Sequence, residues 1–360
     1  MAERALAALL LTAVALPPLL ARLAGGRPPN PGPQLAALAP VATVPALAAV
    51  LVAAFTAWWL AILLAIPAAM LLAWQLPPPR PRRGQPGAPP PSGAGPAPGQ
   101  VTVRVLSVNA RGGVADPAAL LHTVQRHEVD VLAVQELTPE LASRLAAAQL
   151  PGVLPFAEID PRPGSPGVGL WARWPLTPLP PVPGMLAAAP RARIEPRPGL
   201  PVTLVSIHPK APMKGRAAEW QRDLEQLRGA LVTVTEPQVV AGDFNASRDH
   251  RAFRNLLAVG FVDCADAAGR RPWPGFTWPR TLDFDASRVH RPVQGWLRTR
   301  SMVPVMRLDH VLVTRAAATV REARVIPVPG TDHHGVLAVI GFSPAHVGAG
   351  PRPAGVSGQT

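Results

Sequence analysis

From Gln34 to Gln75 the chain carries no charged side chain at all. One bilayer span takes about 20 predominantly apolar residues, so an uncharged run of roughly 40 is long enough for two spans joined by a tight turn. Residues 5–21 are almost wholly apolar too, and the only charges before residue 77 are Glu3, Arg4, Arg22 and Arg27. The pattern predicts three membrane helices, near 5–21, 36–54 and 57–76. Pro45 and Pro67 are tolerable inside such helices, because neighbouring helices can re-satisfy the freed carbonyls. Trp58, Trp59 and Trp74 suit interfacial belts. The competing reading is a signal peptide followed by a buried helical hairpin. It is weakened by Arg22, which breaks the small-x-small pattern after Leu20.

The remaining composition sets limits. At 360 residues there is room for about two domains. Pro (48) and Gly (30) exceed ordinary usage, but the excess is local. Residues 77–100 read as a Pro/Gly linker, and the stretch from Ser343 to the last residue reads as a disordered tail. The net charge of +13 invites a nucleic-acid reading. Yet Lys210 and Lys214 are the only lysines, and the arginines are scattered without a run of five. A single cysteine, Cys264, excludes an intrachain disulfide and a cysteine metal cluster.

Between 101 and 342 the elements alternate, as in an α/β domain with ample core. Strands are expected at 101–108, 129–134, 168–172, 202–207, 238–241, 308–313 and 336–341. Asp116-Pro117 has the form of an N-cap followed by Pro at N1. Helices are expected at 216–231, burying Trp220, Leu224, Leu227 and Leu231, and at 249–258.

Polar residues recur where those strands end. Asn109 ends the first, Gln135-Glu136 the second and His208 the fourth. Asp243 and Asn245 follow the fifth, Asp309 lies within an apolar strand, and Asp332-His333 precede the last. In layered α/β folds, strand ends are where a site assembles from distant parts of the chain. Each residue has a bland reading taken alone: a turn cap, an Asx turn, a loop histidine. Asp309 is the least bland, since a carboxylate within an apolar strand must be paired. His310 and His334 read as bystanders.

The string Asn109…Gln135-Glu136…His208…Gly242-Asp243-Phe244-Asn245…Arg307-Leu308-Asp309-His310-Val311…Thr331-Asp332-His333 resembles the endonuclease/exonuclease/phosphatase (DNase I-like) superfamily. Residues 169–175 also fit that pattern. Gly335, where the family usually has Pro, departs from it and is expected to loosen a turn. The resemblance implies a four-layer sandwich, two mixed β-sheets flanked by helices and preceded here by the N-terminal transmembrane region. It also implies metal-dependent hydrolysis of a phosphate ester or anhydride. The expected cation is Mg2+, with Mn2+ as the alternative, and hard oxygen donors agree with that choice. In the roles implied, Glu136 is the main metal ligand, with Asn109 beside it and Asp332 nearby. Asp243 orients or deprotonates the attacking water, and Asn245 holds that water. His333 contacts the phosphate, with Asp309 on its other ring nitrogen. His208 is the proton donor to the leaving oxygen.

Three spans, a linker and this domain together resemble the membrane-bound bacterial branch that includes VanJ-type proteins. That branch implies a cell-envelope lipid phosphate or pyrophosphate, polyprenyl-linked for example, as substrate. The alternatives are a nuclease, a sphingomyelinase- or phosphoinositide-like phosphodiesterase, and a non-catalytic envelope binding protein. The Arg/Trp-rich stretch 270–300 suits either nucleic acid or a headgroup surface. The lysine/arginine count around the spans favours a cytoplasmic catalytic domain. The branch resemblance favours an extracytoplasmic one in a multi-pass membrane protein, and that placement is the expectation carried forward.

Overall fold

The computed structural model describes residues 2–76, 99–268, 275–281 and 302–344. Most of the expected linker, the greater part of the 270–300 stretch and the tail beyond 344 lie outside the described residues. The chain divides into two compact units. One comprises 1–79 together with 211–221 and 246–254; the other comprises 80–210, 222–245 and 255–360. Two short segments of the stretch expected as one domain, 101–342, therefore belong with the N-terminal helices.

The N-terminal unit contains α1 (Ala2–Leu23), α2 (Gly32–Ala37), α3 (Ala39–Ala54) and α4 (Trp58–Gln75). Helices α1 and α4 are long and apolar enough to cross a membrane, whereas α3 has 16 residues. The span expected over 36–54 begins later because the helix restarts after Leu38, where Pro40, lacking an N–H, fits a first turn. Ala15, Leu19, Ala39, Ala42, Ala46, Ala68 and Leu71 form the seam between these helices. Small residues let the backbones approach closely. Leu10, Val14, Leu51, Trp58, Ile62 and Ile66 face outward and are exposed.

After the N-terminal helices the chain forms β1 (Val101–Asn109), α5 (Pro117–Arg126), β2 (Val131–Gln135), α6 (Pro139–Ala147), β3 (Phe156–Asp160), β4 (Val168–Ala172), β5 (Thr177–Leu179), β6 (Arg191–Ile194) and β7 (Val202–Ile207). After helix α7 (Ala217–Leu231) come β8 (Gln238–Asp243), α8 (Arg251–Ala258), β9 (Phe261–Asp263), α9 (Cys264–Ala267), β10 (Asp309–Thr314), β11 (Ala318–Pro327) and β12 (His334–Phe342). Asp116 caps α5, its carboxylate accepting from the N–H groups of Ala118 and Ala119.

The strands form two six-stranded mixed sheets, in orders β11-β12-β1-β2-β4-β3 and β5-β6-β7-β8-β10-β9. β1 is parallel to β2 and β7 to β8; the other pairs are antiparallel. The period of two along each strand divides the side chains between layers. Val103 and Val105 of β1 and Val131 and Ala133 of β2 meet Leu204, Val239, Ala241, Val311 and Val313 of the other sheet in one core. The alternate residues Leu106, Val108, Leu132 and Val134 pack instead on Leu120 and Val124 of α5 and on Leu141 and Leu145 of α6. Gly335, expected to loosen a turn, lies inside β12, paired with Ile326. Strand pairing rather than a turn fixes the backbone there.

Candidate active site

The same alternation builds the site. Continuing by twos from the inter-sheet core, β1 reaches Ser107 and Asn109, β2 reaches Gln135, and β7 reaches Ser206 and His208. β8 reaches Asp243, and β10 begins at Asp309. At one end of the sandwich the inward faces thus turn from apolar to polar. The first polar layer is a ladder between the sheets: Ser107 Oγ donates to Gln135 Oε1 (3.2 Å), and Gln135 Nε2 donates to Ser206 Oγ (3.4 Å).

Beyond that ladder six of the expected residues come together. Asn109 Nδ2 donates both to Glu136 Oε1 (3.2 Å) and to Asp243 Oδ2 (3.0 Å). His208 Nε2 lies 3.6 Å from Asp243 Oδ2 and 3.8 Å from Glu136 Oε1. Its Nδ1–H donates to the Ser165 carbonyl, which orients the ring. Asp309 and Asp243 are paired in register across β8 and β10. His333 Nδ1 donates to Asp309 Oδ2 (2.8 Å), and its Nε2 stands 3.9 Å from Asp243 Oδ2.

Local backbone geometry makes this possible. Gly242 admits the Ile207 carbonyl so closely that a Cβ there would lie 2.0 Å from the oxygen. Glu136 adopts φ +56°, a left-handed conformation costly for a glutamate. The Gly112 N–H accepts that geometry by donating to Glu136 Oε2 (2.5 Å).

Asn245 and Asp332 stand at the margin. The Asn245 N–H donates to Asp243 Oδ1 (2.8 Å), closing an Asx turn, while its Nδ2 donates to the Pro209 carbonyl (2.9 Å). Asp332 reaches the cluster through Arg111, whose Nε lies 3.9 Å from Asp332 Oδ1 and whose backbone N–H donates to Asn109 Oδ1.

The electrostatics follow from burial and proximity. Burial, then the neighbouring Asp309 carboxylate, raises the Asp243 pKa above the ordinary carboxylate value. Burial opposes charge on His333. Asp309, by charge and hydrogen bond, outweighs it with help from Asp243 and Asp332, and raises the imidazole pKa to about 10.

A divalent cation fits this donor set. Four carboxylates, those of Glu136, Asp243, Asp309 and Asp332, stand with two imidazoles, His208 and His333, and the Arg111 guanidinium, so the cluster is short of positive charge. Asp309 Oδ1 is buried without a hydrogen-bond partner among the described residues. One ligand atom from each of Asp243, Asp309 and His333 lies within 4.8 Å of the others. That group differs from the Glu136, Asn109 and Asp332 set implied by the family resemblance.

Thr277, which the sequence did not mark, and Thr331, Trp278 and Arg280, which it marked only as parts of longer segments, support the site. Thr331 Oγ1 donates to the Asn109 carbonyl (2.7 Å) and accepts from the His333 N–H (3.1 Å), tying two distant segments together. Thr277 Oγ1 accepts from the N–H groups of Leu308 and Asp309, fixing the start of β10. Trp278 sets its ring 6.3 Å from that of His333. Arg280 donates to the Val328 and Thr331 carbonyls and braces the loop that carries Asp332 and His333. His310, expected as a bystander, is buried, donates to Asp263 Oδ2 (2.7 Å) and packs edge-on against Phe244. Of the 270–300 stretch, Trp278 and Arg280 are described; Arg270, Arg271, Trp273, Arg288, Arg291, Trp296, Arg298 and Arg300 lie outside the described residues.

Comparison with known proteins agrees with this architecture. TDP2 of D. rerio, in a complex with a single-strand DNA product, is 17% identical, with 66% of this chain and 98% of that one covered at a TM-score of 0.51. An endonuclease/exonuclease/phosphatase family protein of Bacteroides thetaiotaomicron is 13% identical, with 68% and 99% covered, also at 0.51. At these identities the likeness is one of fold. Among curated proteins none matches this sequence. The sequence profile described as the Endonuclease/Exonuclease/phosphatase family matches residues 106–333. That match, spanning more than half of the chain and every residue of the cluster, makes the protein a member of the endonuclease/exonuclease/phosphatase family of metal-dependent phosphoester hydrolases.

Proposed function

We propose that this protein is a membrane-anchored hydrolase acting on a phosphate ester or pyrophosphate borne by a cell-envelope lipid. The observation that carries the chemistry is the convergence of Glu136, His208, Asp243, Asp309 and His333 around Asn109. The anchor rests on α1 and α4, whose apolar outer faces have no other evident solvent. Anchoring raises the local concentration of a lipid substrate. The resemblance to VanJ-type proteins supports the same substrate class and an extracytoplasmic catalytic domain.

In this reading Glu136 is the principal cation ligand, with Asn109 setting its distance from Asp243 and Asp332 on the far side of Arg111. The cation, Mg2+ by donor chemistry, neutralises charge on the phosphoryl oxygens when bound. Asp243, its pKa raised by burial, takes a proton from the attacking water as the water oxygen bonds to phosphorus. Asn245, held at Nδ2 by Pro209, leaves Oδ1 to accept from that water. His333, charged and fixed by Asp309, stabilises the pentacoordinate phosphorus. His208 gives a proton to the leaving oxygen as the phosphorus–oxygen bond breaks.

A nuclease is the second reading. It is favoured by Trp278, whose ring beside His333 could stack a base, and by the single-strand DNA product bound to the similar D. rerio TDP2. The test is the full chain in detergent with Mg2+, offered a polyprenyl pyrophosphate, single-stranded and duplex DNA, RNA and a generic phosphodiester, with Asp243→Ala as control. Phosphate release from the prenyl substrate, abolished by the mutation and by chelator, supports the lipid reading. DNA cleavage without lipid turnover moves the protein to the nucleases. A reporter fused after Gly99 that is active only in the cytoplasm would reverse the topology.

A further inference from the structure

Two segments that continue directly from site residues belong to the N-terminal unit. Residues 246–254 follow Asn245, and residues 211–221 follow His208-Pro209-Lys210. Within that unit the loop between α1 and α2 grips the first of them. Arg22 Nε pairs with Asp249 Oδ1 at 2.7 Å, both side chains nine-tenths or more buried, and the Arg22 guanidinium lies 4.0 Å over the Trp74 ring. The Arg251 N–H donates to the Gly25 carbonyl (2.8 Å). His250 Nε2–H donates to the Pro33 carbonyl (2.8 Å), and its Nδ1 accepts from the Ser247 N–H (2.9 Å). Gly26, at φ +60°, lies where any Cβ would come within 2.7 Å of His250 Cδ2.

This is more structure than a tether needs. An arginine in the last turn of an apolar helix is costly unless it has a specific partner, and the partner here lies four residues beyond Asn245. Asn245 itself is in the left-handed region, held by its N–H to Asp243 Oδ1 and by Nδ2 to Pro209. A turn of that kind persists only where the chain on both sides is fixed. On its C-terminal side, residues 247–250 are tied together by Ser247–Asp249 and Ser247–His250 hydrogen bonds, and Arg22, Gly25 and Pro33 hold that segment in turn.

We propose that the α1–α2 loop clamps residues 246–254, making Arg22, Asp249 and His250 positioning residues for the Asp243–Asn245 turn. The N-terminal helices then contribute to turnover and not only to location. The inference rests on the hydrolase reading above, in which Asp243 and Asn245 handle the attacking water.

The test uses the full chain in detergent, with Mg2+ and bis(p-nitrophenyl) phosphate. Arg22→Asp and Asp249→Arg should each lower kcat about 10- to 100-fold, the scale of a small misplacement of reacting groups, with KM within about twofold. The charge-swapped double variant should recover most of the loss. Wild-type kcat in both folded single variants overturns the proposal, and so does a double variant no better than either single one. Should the reversals not fold, Arg22→Lys carries the same kcat criterion. Amide exchange provides a readout independent of activity. Faster exchange at the Asn245 N–H in an Arg22 variant supports the clamp, and unchanged protection overturns it. An inactive wild type with that protection dependent on Arg22 would sink the hydrolase reading and leave the clamp standing.

Discussion

Asp309 and Asp243 face each other across β8 and β10, yet His333 Nδ1 is committed to Asp309 alone, at 2.8 Å from Oδ2. Two buried carboxylates at adjacent register positions cannot both stay ionised without help. The imidazolium supplies that help to one side. The other side, Asp243, keeps a raised proton affinity from burial and from Asp309. The pair therefore divides into an orienting carboxylate and a basic one.

Asp309→Asn should separate these roles. The amide is nearly isosteric, but it removes the charge that outweighs burial at His333. The imidazole should then be neutral at working pH, and kcat should fall on the order of 10²-fold with little change in KM. Steady-state kinetics and histidine proton NMR check this. A variant with full kcat and a still-charged His333 would remove the pair from the mechanism.

Glu136→Gln should act on metal dependence first. Glu136 is partly exposed and accepts from the Asn109 amide at Oε1 and from the Gly112 N–H at Oε2, so the glutamine loses the charge and, with one acceptor oxygen instead of two, one of these hydrogen bonds. The Mg2+ concentration for half-maximal rate should rise about tenfold or more. Asp332→Asn, at the margin of the cluster beside Arg111, should shift it less. Chelator should abolish wild-type turnover, and added Mg2+ should restore it. An unchanged Mg2+ requirement in Glu136→Gln would take the ligand role from this residue.

The long strands were legible because their alternation is strong: 168–172 and 202–207 coincide with β4 and β7. The strands not read from the sequence, β3, β5, β6, β9 and β11, are short or mixed in burial, β9 being buried throughout but only three residues long. β3 (FAEID) and β5 (TPL) lie largely at the surface, and β11 follows the irregular stretch after Thr314. Helix α6 was not placed from the sequence, although Thr138-Pro139 has the same cap-and-Pro form as Asp116-Pro117 and Thr138 Oγ1 accepts from the Leu141 N–H. The site residues stood out as polar groups at strand ends. The supporting roles did not, because Thr277, Thr331 and Arg280 act through backbone groups remote in sequence, so the Thr331 of the quoted motif and the Arg280 of the Arg/Trp stretch carried no sign of what they brace. The division between units was equally hidden. Residues 246–254, a loop leading into the expected helix, show no tie to the N-terminal residues until Arg22 and Pro33 are placed against them.

Trp278 separates the two substrate classes. Its ring lies beside His333 and leaves the cluster's hydrogen bonds untouched. If the substrate is single-stranded nucleic acid, Trp278→Ala should weaken binding by about 1–3 kcal/mol, seen in KM, and more at one ring-stacking position than with a generic diester. If the substrate is a prenyl pyrophosphate, the KM for a base-free diester and for the lipid should move together. Competition between oligonucleotide and prenyl substrates in wild type and variant distinguishes these outcomes.

His250 should give the fold a defined acid sensitivity. Both ring nitrogens are used in the neutral form, Nε2–H toward Pro33 and Nδ1 receiving Ser247, and the Trp220 ring edge closes the site. Burial first, then Arg254 and Arg22, lowers its pKa from 6.5 to about 4; the hydrogen bond that Nε2–H donates to the Pro33 carbonyl opposes this only in part. Arg248, Asp249 and Arg251 are the other charged groups on the same segment. The folded pKa lies below the unfolded one, so the neutral form is favoured by folding. That stability is fully present above about pH 6.5, is lost as the pH falls toward 4, and is flat below. The loss amounts to about 3 kcal/mol over that window. Protonation also ejects the Ser247 N–H from Nδ1. Thermal unfolding of the full chain in detergent, followed by tryptophan fluorescence from pH 7.5 to 4, should show His250→Gln less stable near neutrality but with a shallower decline on acidification. Parallel declines in wild type and variant would mean that His250 does not set this sensitivity and that the carboxylates account for all of it.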